Sequence, residues 1–293
     1  ARAIASDSEL NVLFSMFGRQ SLATLRAVGD FSVTRSRRHE VLPIYPRPRE
    51  GYVTDEVLPY IEVKAANGVS TRFILDTGAP QTRVNDKTAK RMGITLLTDS
   101  HYGYSTYYGE HNLPAKLGIF DSLKIGGSEF KNVLVFVSDR DNLLGLDLIG
   151  KLGRLKLKKK TLALNAEPLA RCDSPITYSR ADINQRLTIA ARLDGRATLA
   201  IVDTGNVDYL TSAAPGDYPI HVAENSRYQT FKGELDLSGS IRVMTYKYHP
   251  GFTIPPSLVS GQYVPSILLG SRAFNDYELN LDAESGRSCL NKI

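Results

Sequence analysis

Two aspartates lie in the same short motif at widely separated positions of the 293-residue chain. Asp76 and Asp203 each follow three apolar residues and each precede Thr and Gly. If the fold brings them together, one carboxylate can take a proton from water while the other gives a proton to a substrate oxygen. Like charges held within about 3 Å do not both ionise readily, so such a pair keeps one proton over a working range of pH. The pattern therefore predicts acid–base activation of a water molecule.

The sequences around the two aspartates are similar, which indicates that one structural unit occurs twice in the chain. A turn dipeptide precedes each aspartate, Asn67-Gly68 in the first copy and Asp194-Gly195 in the second, as is typical of β-hairpins. Each copy also has a later Leu-Leu-Gly, at residues 143–145 and 268–270. We expect each apolar run to be a buried strand that ends in a tight turn carrying the aspartate.

The two Asp-Thr-Gly and two Leu-Leu-Gly motifs occur in the order typical of the aspartic protease superfamily, which includes the retropepsins and the pepsins. Residues from about 51 to 293 resemble this superfamily. The first half is similar to the retropepsins, because Asp-Thr-Gly-Ala is the retroviral form of the motif. The resemblance implies a mostly β, bilobal acid protease fold with two β-barrel-like lobes related by a pseudo-two-fold axis. It further implies an aspartic endopeptidase, a hydrolase that cuts extended polypeptides without a cofactor or a metal.

The resemblance assigns roles within the predicted site. Asp76 and Asp203 jointly form the catalytic dyad, with the acid and base roles left open. The residues expected to support the dyad are Thr77, Gly78, Thr204 and Gly205. Each Thr would send its hydroxyl to the backbone of the opposite loop, and each Gly would let the backbone approach water and substrate.

A flap, the hairpin that closes over substrate, is expected in the tyrosine-rich residues 101–109. Its candidate substrate-binding residues are Tyr102, Tyr104, Tyr107 and Tyr108. The alternative is a tyrosine-rich pair of surface strands. In the second half, a weaker candidate flap lies at residues 228–237.

Two residues depart from the pepsin pattern, in which Ser or Thr follows each Gly of the motif. Ala79 has retroviral precedent, whereas Asn206 is unusual. We expect that losing both hydroxyls makes the dyad less acidic, so that activity peaks in weak acid rather than below about pH 4. The alternative function is a catalytically impaired, protease-like module that binds peptides, with Asn206 as its defect.

The chain is predicted to have three parts, namely an N-terminal helical extension with a Pro- and Arg-rich tether (1–50), a first retropepsin-like lobe (51–170) and a second (171–293). Residues 6–28 have the capping-box and apolar spacing of a helix. The extension is either an inhibitory pro-segment cut near residues 35–38 or a helix packed on one lobe. In the first lobe, Asn85 is expected to cap a helix that Gly93 ends.

The hydrophobic content and net charge of the chain argue against a membrane protein and against a nucleic-acid-binding protein. The chain is 42% hydrophobic and 23% charged, and no stretch reaches the roughly 18 to 20 apolar residues of a membrane span. The net charge of +5 is modest. We therefore expect protein or peptide substrates, no nucleic acid and no integral membrane segment. Because one chain carries both motifs, a monomer is expected rather than an obligate dimer.

Three observations bear on the cellular compartment, namely the two cysteines, the first residue and the resemblance to a protease family. Cys172 and Cys289 are either free thiols or a disulfide, which would contribute about 4 to 5 kcal/mol in the chain-entropy description. Residue 1 is Ala, which is consistent with removal of an N-terminal signal. Two retropepsin-like lobes in one chain resemble a bacterial envelope protease, so we expect a periplasmic or secreted protein.

Overall fold

The computed structural model describes residues 29–45, 58–97, 102–106, 110, 112–181, 184–212, 229–248, 257–259, 262–282 and 285–293. The helix predicted for residues 6–28 lies outside these ranges. No helix within them is long and apolar enough to cross a membrane.

The chain is built mostly of strands, which fall into two series. Through residue 164 they are β1 (Ser32–Thr34), β2 (Glu40–Pro43), β3 (Tyr60–Ala65), β4 (Ser70–Leu75), β5 (Arg83–Asn85), β6 (Thr95–Leu96), β7 (Tyr102–Tyr104), β8 (Leu113–Ile125), β9 (Ser128–Ser138), β10 (Leu143–Leu144), β11 (Arg154–Lys158) and β12 (Thr161–Leu164). From residue 174 they are β13 (Ser174–Ala181), β14 (Asn184–Leu193), β15 (Arg196–Val202), β16 (Leu210–Ser212), β17 (Gln229–Leu237), β18 (Ser240–Tyr248), β19 (Ser257–Val259), β20 (Gln262–Val264), β21 (Ser266–Leu269), β22 (Tyr277–Asp282) and β23 (Ser288–Lys292). The helices are α1 (Asp86–Met92), α2 (Leu146–Ile149) and a 3-10 helix at Ser271–Asn275.

Each half of the chain closes a ring of hydrogen-bonded strands. The first ring runs β3, β4, β10, β5, β9, β8 and back to β3. The second runs β14, β15, β21, β16, β18, β17 and back to β14. Parallel and antiparallel pairs follow the same order in both rings. The predicted mostly β, bilobal fold with two barrel-like lobes is therefore confirmed.

A further sheet joins the two halves. Its strand order is β13, β23, β22, β11, β12, β2, so strands from both halves are hydrogen-bonded to one another. Leu155 and Leu157 of β11 pack in the same buried cluster as Leu279 and Leu281 of β22. The hydrophobic core is thus continuous across the two halves.

Local signals place several turns and caps as expected. The Asp194-Gly195 turn joins β14 to β15 with both residues at positive φ, 51° and 75°, the conformation that such dipeptides favour in two-residue hairpins. The Asn85 side chain accepts a hydrogen bond from the Lys87 N–H at the start of α1, and Gly93 ends the helix in the left-handed region. These sequence predictions are confirmed.

Residues 29–45, within the predicted extension and tether, include two strands. β1 pairs with β9, and β2 pairs with β12 at the edge of the sheet that joins the halves. The Glu40 carboxylate accepts a hydrogen bond of 2.7 Å from the Gly127 N–H. This part of the chain therefore packs on the body of the protein, while the three-part division remains a prediction.

The second candidate flap does not have the predicted structure. β17 pairs with β14 and β18, so it holds the place in the second ring that β8 holds in the first. Leu235 and Leu237 are 1% and 2% exposed and belong to the core. The prediction of a flap there is wrong for residues 235–237, because they pair with β14 as part of the barrel.

Candidate active site

The two Asp-Thr-Gly loops leave equivalent strands of the two rings. β4 ends one residue before Asp76, and β15 ends one residue before Asp203. The Asp76 N–H donates to the Leu144 carbonyl at 2.9 Å, and the Asp203 N–H donates to the Leu269 carbonyl at 2.9 Å. Each loop is thus fixed to the Leu-Leu-Gly strand of its own half, which explains why both motifs recur together.

Cross-hydrogen bonds between Thr77 and Thr204 lock the two loops together. The Thr77 hydroxyl donates to the Val202 carbonyl at 2.7 Å and accepts from the Thr204 N–H at 3.1 Å. Reciprocally, the Thr204 hydroxyl donates to the Leu75 carbonyl and accepts from the Thr77 N–H at 3.0 Å. Both Thr residues are almost completely buried, at 1% and 0% exposure. The predicted exchange of hydroxyls across the axis is present in the structure.

The two carboxyl groups meet at the centre of this network. Oδ1 of Asp76 accepts from the N–H groups of Gly78 and Ala79, at 2.9 and 3.1 Å. Oδ1 of Asp203 likewise accepts from the two N–H groups after Thr204, at 3.0 and 3.2 Å. The two carboxyl groups are within hydrogen-bonding range of each other. The structure therefore brings together the two aspartates that the sequence singled out.

The glycines of the two motifs allow this close approach. A Cβ on Gly78 would overlap the Asp203 carboxyl group, and a Cβ on Gly205 would overlap the Asp76 carboxyl group. Each loop therefore packs its glycine on the opposite carboxyl, and no larger residue fits without moving the dyad.

The environments of the two carboxyls differ. Burial raises the pKa of Asp203 well above its usual range, and the neighbouring charge of Asp76 raises it further. Burial also raises the pKa of Asp76, but backbone N–H donors and the nearby Arg83 guanidinium oppose that rise. Asp203 is only 6% exposed, whereas Asp76 is half-buried. Burial therefore favours a pair that keeps one proton to higher pH than an isolated carboxyl would, and this titration belongs to the pair.

In the first half, Thr82 and Asp147 hold the Asp76 loop against α2. The Thr82 hydroxyl donates to the Asp147 carboxylate at 2.8 Å and accepts from the Gly145 N–H at 3.1 Å. The Leu146 N–H donates to the Ala79 carbonyl at 2.9 Å. A Cβ on Gly145 would overlap the Gln81 backbone, so this glycine is required for the loop to dock.

In the second half, the single residue Asn206 holds the Asp203 loop in place. Its side-chain amide donates to the Thr211 hydroxyl at 2.9 Å and accepts from the Asp208 N–H at 3.1 Å. Its carbonyl accepts from the Ser271 N–H at 2.7 Å. Asn206 is 3% exposed and its amide is hydrogen-bonded on both sides. The residue that departs from the pepsin pattern therefore supports the Asp203 loop structurally.

The first candidate flap forms a hairpin in which β7 pairs with the start of β8. Tyr102 stacks on Phe136 with ring centroids 4.5 Å apart. Tyr104 lies under the guanidinium of Arg83, whose Cζ is 4.9 Å from the ring centroid. Tyr107 and Tyr108 lie outside the described residues. Substrate contacts for all four tyrosines stay a prediction.

Sequence reasoning missed three residues near the dyad, namely Thr82, Arg83 and Asp147. Comparing the two repeats offers a signal, because the residue two positions after Leu-Leu-Gly is Asp147 in the first copy and Arg272 in the second. The partner of Asp147 lies 65 residues earlier in the chain, so no local pattern reveals the pair.

The arrangement has the groups needed for acid–base chemistry on a water molecule. One carboxyl of a singly protonated pair can accept a proton from water while the other donates one to a carbonyl oxygen. Removing either carboxyl leaves only one of these two transfers. The catalytic roles of Asp76 and Asp203, and the supporting roles of the Thr and Gly residues, stay predictions.

Part of the chain is similar in sequence to a known family, and its fold is similar to that of a solved structure. The sequence profile of the family described as "gag-polyprotein putative aspartyl protease" matches residues 63–151. No curated protein matches the chain in sequence. The structure is similar to that of an aspartic proteinase from Irpex lacteus, with a TM-score of 0.52 and 12% identity over 87% of this chain and 97% of that chain. A retropepsin-like aspartic protease from Rickettsia conorii matches with a TM-score of 0.34 and 26% identity over 46% of this chain and 95% of that chain.

Proposed function

We propose that the chain is an aspartic endopeptidase that hydrolyses peptide bonds with a water activated between Asp76 and Asp203. The match of residues 63–151 to an aspartyl protease family and the similarity in fold to an aspartic proteinase support this proposal. The observation that supports this function most directly is the meeting of the two carboxyls across the Thr77–Thr204 network. A binding module would not require two carboxyls held so close that one must stay protonated.

The substrate class follows from the architecture of the site. The dyad lies between two closed barrels, and a β-hairpin stands beside the Asp76 loop. A cleft walled by strands favours an extended peptide, whose backbone can hydrogen-bond to strand edges. Protein or peptide segments in extended conformation are therefore the proposed substrates.

An oxidising compartment is proposed for the protein, either periplasmic or extracellular. Cys172 and Cys289 are disulfide-bonded, with Cα atoms 5.5 Å apart. Such bonds persist mainly outside the reducing cytosol. The proposal predicts that protein isolated from its native source carries the bond and shows no free thiol.

The test is mass-spectrometric detection of cuts in a diverse peptide mixture from about pH 3 to 7. It compares the full chain with Asp76→Asn, Asp203→Asn and the control Asp121→Asn, whose carboxyl is exposed. Cuts that persist in the control and vanish in both dyad variants support the proposal. Cuts that persist in either dyad variant contradict it.

If the full chain cuts no peptide, a shortened protein is tested in the same assay. Removing residues 1–28 keeps β1 and β2, which pair with β9 and β12, so the body of the protein is preserved. Activity in this form would identify the removed residues as inhibitory. Silence of both forms across the pH range would favour the peptide-binding module, to be checked by the binding of labelled peptides.

A further inference from the structure

Arg83 is the first residue of β5. Arg83 pairs with Leu143 of β10, and Leu143 pairs with Ile74 of β4. Side chains at paired positions share one face of a sheet. Ile74 and Leu143 belong to a small apolar cluster that is separate from the main core. Arg83 therefore points away from the core of the barrel, whereas the next residue, Val84, is 0% exposed within it.

That face of the sheet is the face of the dyad. The small apolar cluster consists of Leu58, Tyr60, Ile74 and Leu143. Packed against it are Ala79 of the first Asp-Thr-Gly loop and Val207 of the second. Arg83 thus lies at the margin of an apolar surface that runs up to both loops of the site.

The guanidinium of Arg83 is held in place without being neutralised. Its face packs on the Tyr104 ring, with Cζ 4.9 Å from the centroid, and Nε donates to the Asp141 carbonyl at 3.5 Å. Among the described residues no carboxylate lies within ion-pair distance of it. Glu110, whose pKa is lowered mainly by Arg140 and in smaller part by the Arg83 charge, bonds to Arg140 at 2.7 Å and accepts from the Thr106 hydroxyl at 3.2 Å.

The positive charge of Arg83 acts on the Asp76 carboxyl group. It opposes the rise in the pKa of Asp76 that burial causes. The hydroxyl of Tyr104, beside it, is buried and has no hydrogen-bond partner in the described part of the chain. A cation with free N–H donors and a neighbouring hydroxyl donor together suit an anionic group.

Among the described residues of the second half, the position equivalent to Arg83 carries no cation. Across from its Leu-Leu-Gly strand, β16 carries Leu210 and Thr211, which are 1% and 2% exposed and uncharged. The charge is therefore on one side of the pseudo-two-fold axis. An extended peptide that crosses the dyad would meet it on one side of the scissile bond only.

From this asymmetry we propose that Arg83 makes the cleft selective for substrates that carry Asp or Glu at one fixed position on a single side of the scissile bond. The acidic side chain would pair with the guanidinium beside Tyr104, in a half-buried setting where charge-assisted hydrogen bonds exceed exposed ion pairs in strength. Lys or Arg at the same position would be disfavoured by like charge. The inference rests on the proposed function insofar as the selected peptides are also cut.

The experiment uses peptides that differ only by Glu, Gln or Lys at one position, with the position moved stepwise through the residues that flank the scissile bond. Ratios of kcat/KM are compared for the full chain, Arg83→Gln, Arg83→Glu and the control Arg91→Gln, whose side chain is exposed on α1. We expect the unchanged chain to prefer Glu by about tenfold at one position. Arg83→Gln should remove that preference, Arg83→Glu should reverse it towards Lys, and the control should retain it.

A binding measurement separates this inference from the proposed function. The same peptides are titrated against Asp203→Asn and against Asp203→Asn combined with Arg83→Gln. Tighter binding of the Glu peptide that depends on Arg83 supports the inference even if nothing is cut. Equal binding of Glu and Gln peptides at every position overturns it, as does a preference that survives in Arg83→Gln. Equal unfolding midpoints of the variants exclude misfolding as the cause.

Discussion

The hydroxyl oxygens of Thr77 and Thr204 lie 3.4 Å apart, on the axis that relates the two halves of the protein. Each hydroxyl donates to a backbone carbonyl of the opposite half and accepts from the backbone N–H of the other Thr. The separation of the two carboxyls is therefore set by hydrogen bonds between the halves, and the dyad depends on their correct docking.

Replacing Thr204 by Val should destabilise the protein while keeping its shape. Val lacks the hydroxyl, so the buried Thr77 N–H and the Leu75 carbonyl lose their partners. We expect a loss of about 2 to 4 kcal/mol in the free energy of unfolding, measured with urea, and a loss of peptide cleavage. Thr204→Ser, which keeps the hydroxyl, should lose less than half as much. Equal effects of Ser and Val would mean that packing rather than hydrogen bonding holds the loops.

Stability should fall as pH rises through weak acid. The pKa of Asp203 is raised in the folded protein by burial and by the charge of Asp76, so the folded state binds a proton that the unfolded state has released. The stabilisation is complete below the unfolded pKa of about 4 and is lost as pH rises through the folded pKa. Asp203→Asn should flatten this slope in urea titrations from pH 4 to 7, whereas Asp121→Asn should not. An unchanged slope in Asp203→Asn would contradict the assignment.

The pH dependence of cleavage should respond to Arg83. The positive charge favours ionised Asp76, so Arg83→Gln should raise the pKa of Asp76 and move the acid limb of kcat/KM to higher pH. The full chain should have its maximum in weak acid, since both aspartates have raised pKa values. A maximum in strong acid would contradict this expectation, and so would a shift of the acid limb to lower pH in the variant. The profile is measured with a peptide that lacks titrating side chains.

Asn206 and Thr211 should be energetically coupled. The Asn206 amide donates to the Thr211 hydroxyl and accepts from the Asp208 N–H, all beside the Asp203 loop. We expect Asn206→Ala to cost about 1 to 3 kcal/mol, because buried polar groups lose their partners. A double-mutant cycle with Thr211→Val should give a coupling energy of about 0.5 to 1.5 kcal/mol. A stabilising Asn206→Ala would show instead that Asn206 is a defect of the loop.

The disulfide should stabilise the junction of β13 and β23. Cys172 lies just before β13, and Cys289 faces Pro175 across the β13–β23 pair. Replacing both cysteines by Ser should lower the free energy of unfolding by about 2 to 5 kcal/mol. The double variant should unfold at the same urea concentration with or without reducing agent, whereas the unchanged chain should be weakened by reduction. Insensitivity of the unchanged chain to reduction would contradict a stabilising bond.

The sequence revealed the features that depend on short-range signals. The two Asp-Thr-Gly loops, the Asp194-Gly195 turn and the capped helix α1 each combine residue types whose local conformations are restricted, so their structures were predictable. The repeat itself predicted that the two aspartates meet, because matched loops in matched units face each other across an axis.

Features that depend on register between distant strands were not predictable. The contact of Thr82 with Asp147 joins residues 65 positions apart, and the position of Arg83 depends on the three-strand register of β4, β10 and β5. The second flap was predicted from Gly233 and two aromatic residues, and these residue types fit both an exposed hairpin and a barrel strand. Burial decides between them, and burial is a property of the whole fold.

The sheet that joins the halves has a consequence for how the chain reaches its fold. β11 lies between β12 and β22, and β22 is made more than a hundred residues later. During synthesis the first barrel can close on its own strands, but β11 keeps an open edge until residues 277–282 emerge. A truncated chain released at the middle of the sequence would therefore expose the unpaired edge of β11, which carries Leu155 and Leu157. Such a fragment should self-associate until the missing half is supplied.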